Sequence, residues 1–192
     1  MLTNFVSLDA RAVRASRAVV DQVGVADLDR PTPCAGWTLR DLLAHMIGQH
    51  YGFAAAARGE ADPDHWKPRD PGADPAAAYR AAAGHVLTAF GAAGPDFPLP
   101  ELGRTFPAAQ AVSFHFIDYV VHAWDVAKTL GVDLEIDPDL LGPALKVAEA
   151  VPGGQARLAP GASFGPRITW TGGTRLDEIV ALLGRSPAWP TN

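Results

Sequence analysis

The sequence predicts a mainly α-helical protein: a four-helix bundle, followed by a short extension of small helices and loop. Three observations predict it. Apolar residues recur at spacings of three and four in several separate stretches, the pattern of helices that bury one face. Start and stop signals bracket those stretches. Two of the connections are long and rich in Pro, Asp and Gly, as a bundle with a crossover requires. With 192 residues, 48% apolar and only 19% charged, the chain can fill one sizeable core.

The first helix is expected over residues 7–23, with Leu8, Ala12, Ala15, Val19 and Val23 on one face and Gly24 as its stop. A Pro-rich connection, "DLDRPTPCAGW", follows. Cys34 lies in it, four residues before the next helix cap and too far out for the helix dipole to activate it. It reads as a small, partly buried residue.

The second helix has the clearest start. Thr38 is the N-cap, Asp41 returns the hydrogen bond, and Trp37 and Leu42 are placed for a hydrophobic staple. It should run to about Arg58 and stop at Gly59. Residues 59–74 form a long loop. At about 3.3 Å per residue it can span a helix of about 30 Å, so the second and third helices can run parallel.

The third helix is expected over 75–92, with Tyr79, Ala83, Val86, Leu87 and Phe90 turned to the core. A second loop, "GAAGPDFPLPELGRTFP", leads to the fourth helix, 107–130, closed by Gly131. Residues 1–131 thus form the bundle, and 132–192 an extension expected to pack on it. In the extension, Asp137 and Pro138 start a short helix. A turn-rich segment then holds one expected strand, Arg167 to Thr171. Thr174 and Asp177 cap a last short helix.

Composition narrows the function. A formal charge of −5 argues against nucleic acid as a partner. One cysteine cannot form an internal disulfide, which suits a reducing cytoplasm. No apolar run of about 20 residues suggests a membrane span, and no basic-then-apolar start suggests a secretory leader. Arg exceeds Lys and Ala, Gly and Pro are abundant, the usage of a GC-rich bacterial genome.

The chemistry is concentrated in the fourth helix, "FHFIDYVVHAWDVAKTL". Its other directions are apolar, yet His115, Asp118, His122 and Asp125 share one stripe about 80° wide. Buried ionisable groups need partners or a metal ion. Asp118 and His122, four apart, lie on one face and can chelate one ion. His45, in the middle of the second helix and followed by Gly48 and Gly52, is the natural third ligand. The glycines leave room for a ligand or for a closely packed neighbour. Two imidazoles and a carboxylate suit Zn²⁺, Ni²⁺ or Fe²⁺ and leave a coordination position open. The alternative is a hydrogen-bonded core without metal. His115 reads as a fourth ligand, a supporting residue, a proton shuttle or a core histidine bonded to a backbone carbonyl, and Asp125 as an acceptor for the second nitrogen of His122 or for a loop backbone.

"PTPCAGWTLRDLLAHMIG", together with "DYVVHAWDVAKTLG" some way downstream, resembles the mycothiol-dependent maleylpyruvate isomerase N-terminal family, one of the DinB-like metal-binding four-helix bundles. The closing "LLGRSPAW" is similar to endings in relatives of this length. The resemblance implies a long crossover between the second and third helices. It also implies a divalent metal held at the positions of His45, Asp118 and His122, with Asp118 one methylene shorter than the glutamate the family favours there.

The expected function is therefore a metal-dependent isomerase or S-transferase that uses a low-molecular-weight thiol, mycothiol by family analogy, on a small electrophile. The alternative is a non-catalytic metal-binding sensor or interaction module of the same fold. The expected partners are small molecules, and a homodimer is compatible with the sequence.

Overall fold

The computed structural model describes residues 2–158 and 163–190, the side chains of residues 3 and 156 aside. The chain divides into two compact units, Met1–Leu134 and Glu135–Asn192.

The first unit contains α1 (Leu2–Val20), α2 (Leu39–Ala57), α3 (Pro75–Gly91), β1 (Asp96–Leu99), β2 (Arg104–Pro107) and α4 (Ala108–Leu130). α1 starts earlier than the pattern of its middle predicts, because Leu2, Phe5 and Val6 extend the apolar face onto the core. Its end tightens to three-residue hydrogen bonds, Gln22 to Val19 and Val23 to Val20, which brings Val23 inside. α2 begins where its cap predicts. Asp41 N–H donates to Thr38 Oγ1 at 3.3 Å, and Thr38 N–H donates to Asp41 Oδ2 at 2.9 Å.

Contacts between side chains give the helix directions. His50 meets Tyr79, Tyr51 meets His85 and Phe53 meets Phe90, so α2 and α3 run parallel. His45 meets His122 while His50 meets His115, so α2 and α4 run antiparallel. α1 packs on α4 through Phe5 with Phe116 and Asp9 with His115. One apolar cluster centres on Leu39, Leu42, Leu43, Met46, Tyr79 and Tyr119, and a second on Phe53, Phe90, Phe97 and Val112.

The crossover between α2 and α3 carries a 3-10 turn, Pro63–Trp66. Its end lies directly on α2. A Cβ at Gly52 would stand 2.3 Å from Trp66 Cδ2, and one at Gly48 2.6 Å from the Lys67 carbonyl oxygen. Room for a ligand beside His45 is therefore not what these glycines provide. They are the seat of the crossover.

The second connection is an antiparallel hairpin where the sequence suggested only loop. Phe97 pairs with Phe106 and Leu99 with Arg104, and Gly103 takes the left-handed conformation that turns the chain. Phe97, Leu99 and Phe106 point inward. Four-residue strands interrupted by Pro98 and ending in Pro107 are too short to display a period of two.

In the second unit, α5 (Pro138–Ala150) starts at Asp137 and α6 (Arg175–Leu182) at the Thr174–Asp177 box. The strand expected over Arg167 to Thr171 does not form. Ile168 N–H instead donates to Ala181 O in α6, and the Arg167 guanidinium donates to the carbonyls of Glu149 and Val151. No neighbouring strand is available among the described residues of this unit. Residues 159–162 of the turn-rich segment lie outside the described residues.

Candidate metal centre

α2 places His45 two turns beyond its cap. α4 runs antiparallel beside it and presents Asp118 and His122 from one face. His45 Nε2 lies 3.9 Å from Asp118 Oδ2, and His122 Nε2 lies 3.3 Å from Asp118 Oδ1. One donor atom from each of the three residues falls within 4.8 Å of the others. The His45 and His122 rings meet edge to face at 5.3 Å. His122 is 4% exposed, Asp118 20% and His45 27%, so the cluster is closed at His122 and partly open at Asp118 and His45.

The far side of His122 is fixed. Its Nδ1 lies 2.9 Å from Asp125 Oδ2, and Asp125 is fully buried. Burial opposes a charge on His122, but Asp118 and then Asp125 outweigh it and hold the ring well above the ordinary histidine pKa. Without a metal ion, His122 is an imidazolium between two carboxylates.

His115 does not join this group. Its Nδ1 lies 2.6 Å from Asp9 Oδ1 and its Nε2 lies 3.1 Å from His50 Nδ1, so neither ring nitrogen is left for a metal. This corrects the expectation that His115 supports the ligands. It belongs instead to a separate, fully buried chain, Asp9–His115–His50, stacked on Tyr119. Burial raises the Asp9 carboxyl above its usual range, against the lowering effect of His115. Burial and His115 together push His50 well below the ordinary histidine range. His50 is thus neutral.

Four further neighbours were given no role at this site by the sequence. The Trp37 indole lies 5.1 Å from the His45 ring. Gln49, one turn after His45, is buried and donates to both carboxylate oxygens of Glu101 at 3.2 Å. Glu101 comes from the hairpin turn and is exposed as a residue, and its bonds to Gln49 are part-buried. Burial raises its carboxyl, with Asp118 adding to the effect and Gln49 opposing it. Cys34 Sγ donates to Asp125 Oδ2 at 3.2 Å. The i+4 spacing of His45 and Gln49 was a visible signal. The partners of Cys34 and Gln49 lie 91 and 52 residues away and were not.

The chain is similar to proteins of one known family. The model of the mycothiol maleylpyruvate isomerase N-terminal domain matches residues 10–127. Two uncharacterized proteins of Mycobacterium tuberculosis, from strains CDC 1551 / Oshkosh and H37Rv, are each 33% identical over 182 residues, covering 92% of this chain and 94% of theirs. The crystal structure of the mycothiol-dependent maleylpyruvate isomerase is similar with a TM-score of 0.60 at 17% identity, covering 78% of this chain and 68% of that one. A histidine-to-alanine mutant of that enzyme gives a TM-score of 0.60 at 16% identity over the same shares. At those identities the structural likeness is one of fold, and it is the DinB-like bundle. Since the matched model spans more than half of its length, the chain belongs to the mycothiol maleylpyruvate isomerase N-terminal domain family.

Proposed function

We propose that this protein holds one divalent metal ion through His45, Asp118 and His122, and activates a low-molecular-weight thiol for addition to a small electrophile. The observation that supports it is the convergence of three donors of suitable chemistry at one partly open point of the bundle. The donors fit such an ion. Ligands on a tetrahedral ion with bonds of about 2.1 Å stand roughly 3.4 Å apart; His122 Nε2 lies 3.3 Å from Asp118 Oδ1, His45 Nε2 lies 3.9 Å from the other oxygen, Oδ2, and one donor of each residue falls within 4.8 Å of the others. The hydrogen bond from His122 Nδ1 to Asp125 is the arrangement that orients a ligating imidazole and fixes its tautomer.

When bound, a Zn²⁺-type ion lowers the pKa of a coordinated thiol and supplies a thiolate near neutral pH. The residues around it do the rest. Asp125 keeps the Nε2 lone pair of His122 directed at the donor cluster. Trp37 backs the more exposed His45 ring. Glu101 and Gln49, level with Asp118, supply a carboxylate of raised pKa and an amide donor at the edge. Addition to an unsaturated electrophile followed by release of the thiol gives isomerisation, and retention of it gives S-transfer. Mycothiol is the thiol we favour, on family membership. Zinc is the metal we favour, with nickel or iron as the other fits.

Elemental analysis of untagged protein tests this reading, alongside His45→Ala and His122→Ala. The expected result is about one divalent ion per chain, lost in both variants. Metal-loaded protein should then accelerate thiol addition to a model electrophile over stripped protein. A chain that takes up no zinc, nickel or iron overturns the reading. One that binds metal without accelerating addition leaves a sensor or interaction module.

A further inference from the structure

We propose that the far side of His122 is a second cation site, formed by Cys34 Sγ, His122 Nδ1 and Asp125 Oδ2, for a thiophilic divalent ion such as Zn²⁺ or Cd²⁺. It goes beyond the function proposed above and does not depend on it.

Two elements supply the three donors. Cys34 lies in the turn before α2, where Thr32 N–H donates to Trp37 O, Trp37 N–H to Cys34 O, and Cys34 N–H to Thr32 Oγ1. These bonds fix the backbone that carries the thiol. His122 and Asp125 are three apart on α4 and so share a face. Asp125 Oδ2 lies 2.9 Å from His122 Nδ1 and 3.2 Å from Cys34 Sγ. Cys34 is also in hydrogen-bonding contact with His122 itself. One donor of each residue therefore falls within 4.8 Å of the other two, the same convergence as at His45, Asp118 and His122. Only one oxygen of Asp125 is needed, and the carboxylate's further interactions can run through the other.

A thiolate, an imidazole and a carboxylate suit zinc and its thiophilic congener cadmium. Thiolate and carboxylate together carry two negative charges. The occupied site is therefore neutral, as its burial at His122 and Asp125 requires. Cys34 is half-buried, and an ion enters from its side. Binding exchanges the thiol proton of Cys34 and the Nδ1 proton of His122 for the ion, and both protons leave to solvent. His122 Nε2–H stays and faces Asp118 Oδ1, 3.3 Å away. On a tetrahedral ion a sulfur and an oxygen stand about 3.6 Å apart, and a nitrogen and an oxygen about 3.4 Å. Both separations are shorter here, so the three groups must part and give up their bonds to one another. The site therefore fills only when the ion is added in excess.

Cd²⁺ titrated into metal-free protein tests this, read by the ultraviolet charge-transfer absorption that only a thiolate ligand gives. Cys34 is the single cysteine of the chain, so the band reports one place. His45→Ala, which disables the first centre, isolates the second. The expected result is a band in His45→Ala that saturates at about one Cd²⁺ per chain and is absent when Cys34→Ala is added. A thiol holding Cd²⁺ alone gives a band too, so its partners decide. His122→Gln or Asp125→Asn, each added to His45→Ala, should weaken Cd²⁺ by at least about 10-fold, since even a partner of a ligand contributes about 10–100-fold. Thermal melts of the metal-free variants report folding. Should those doubles not fold, cadmium NMR of His45→Ala with isotopically labelled histidine decides instead, and the ion should couple to an imidazole nitrogen. No band in folded His45→Ala overturns the proposal. So does unchanged affinity in the folded doubles, or a bound ion without imidazole coupling. The first centre is judged separately, by the zinc that the parent carries and His45→Ala loses.

Discussion

Gly52→Ala asks whether the crossover is seated as described. In an exposed helix this change stabilises by about 1 kcal/mol, because alanine loses less backbone freedom on folding. Here the new Cβ would stand 2.3, 2.6 and 2.8 Å from three ring atoms of Trp66. Those atoms belong to the six-membered ring of the indole and cannot turn aside independently. Trp66 is buried and meets Phe53 ring to ring at 4.9 Å, so the whole ring must move. Overpacking of this kind costs about 1–3 kcal/mol, and expelling the indole approaches the 3–5 kcal/mol of a large aromatic lost from a core. After the propensity gain, the net loss should be about 2 kcal/mol, or roughly 4–8 °C in melting temperature for a chain of this size. Gly84→Ala is the control. It lies exposed in α3 with nothing within 4 Å of its new Cβ, and should stabilise by up to about 1 kcal/mol. Urea unfolding should show midpoints moving in opposite directions with unchanged slopes. A Gly52→Ala midpoint at or above that of the parent refutes the seat.

Two more outcomes follow from the buried ionisable groups. His122 is held protonated well above the usual pKa by Asp118 and Asp125, so metal uptake must displace a proton. Zinc affinity should rise by about 10-fold per pH unit until pH passes that raised pKa, and level off above it. In metal-free protein the same shift gives the opposite trend. The stabilisation from His122 is complete below its unfolded pKa of about 6.5 and is lost as pH climbs through the folded value. Parent stability relative to His122→Gln should therefore be greater at pH 6 than at pH 9, and a gap that widens with pH would contradict the assignment. Asp9→Ala leaves His115 Nδ1 buried with no acceptor, and should cost about 3 kcal/mol in urea unfolding with zinc affinity unchanged. A stability within about 0.5 kcal/mol of the parent's, or a large fall in zinc affinity, would show that the two buried networks are not separate.

Local signals made much of this fold legible. Thr38 with Asp41, Asp137 ahead of Pro138 and Thr174 with Asp177 all begin helices through bonds within three residues. The i+4 spacing put Asp118 and His122 on one face without further information. The angular stripe on α4 misled for His115 because angle carries no height. His115 and His122 differ by about 20° around the helix but by about 10 Å along it. At its level His115 meets Asp9 and His50, while His122 meets His45 and Asp125. Trp66 on Gly52, Cys34 on Asp125 and the Phe97–Phe106 pairing were illegible because each joins residues whose separation the folded chain alone decides.

The pairing of α1 with α4 bears on how the first unit comes into being. Asp9 and His115 are 106 residues apart, and both are wholly enclosed only when the earliest and latest helices of the unit meet. A nascent chain that has released α1, α2 and α3 from the ribosome still carries Asp9 without its partner and the α4-facing surface of α1 uncovered. Contacts of such high sequence separation slow folding and extend the life of sticky intermediates. The unit therefore completes its core only after α4 has emerged. Until then the exposed stripe of Phe5, Val6 and Val13 is a surface for chaperones to shield.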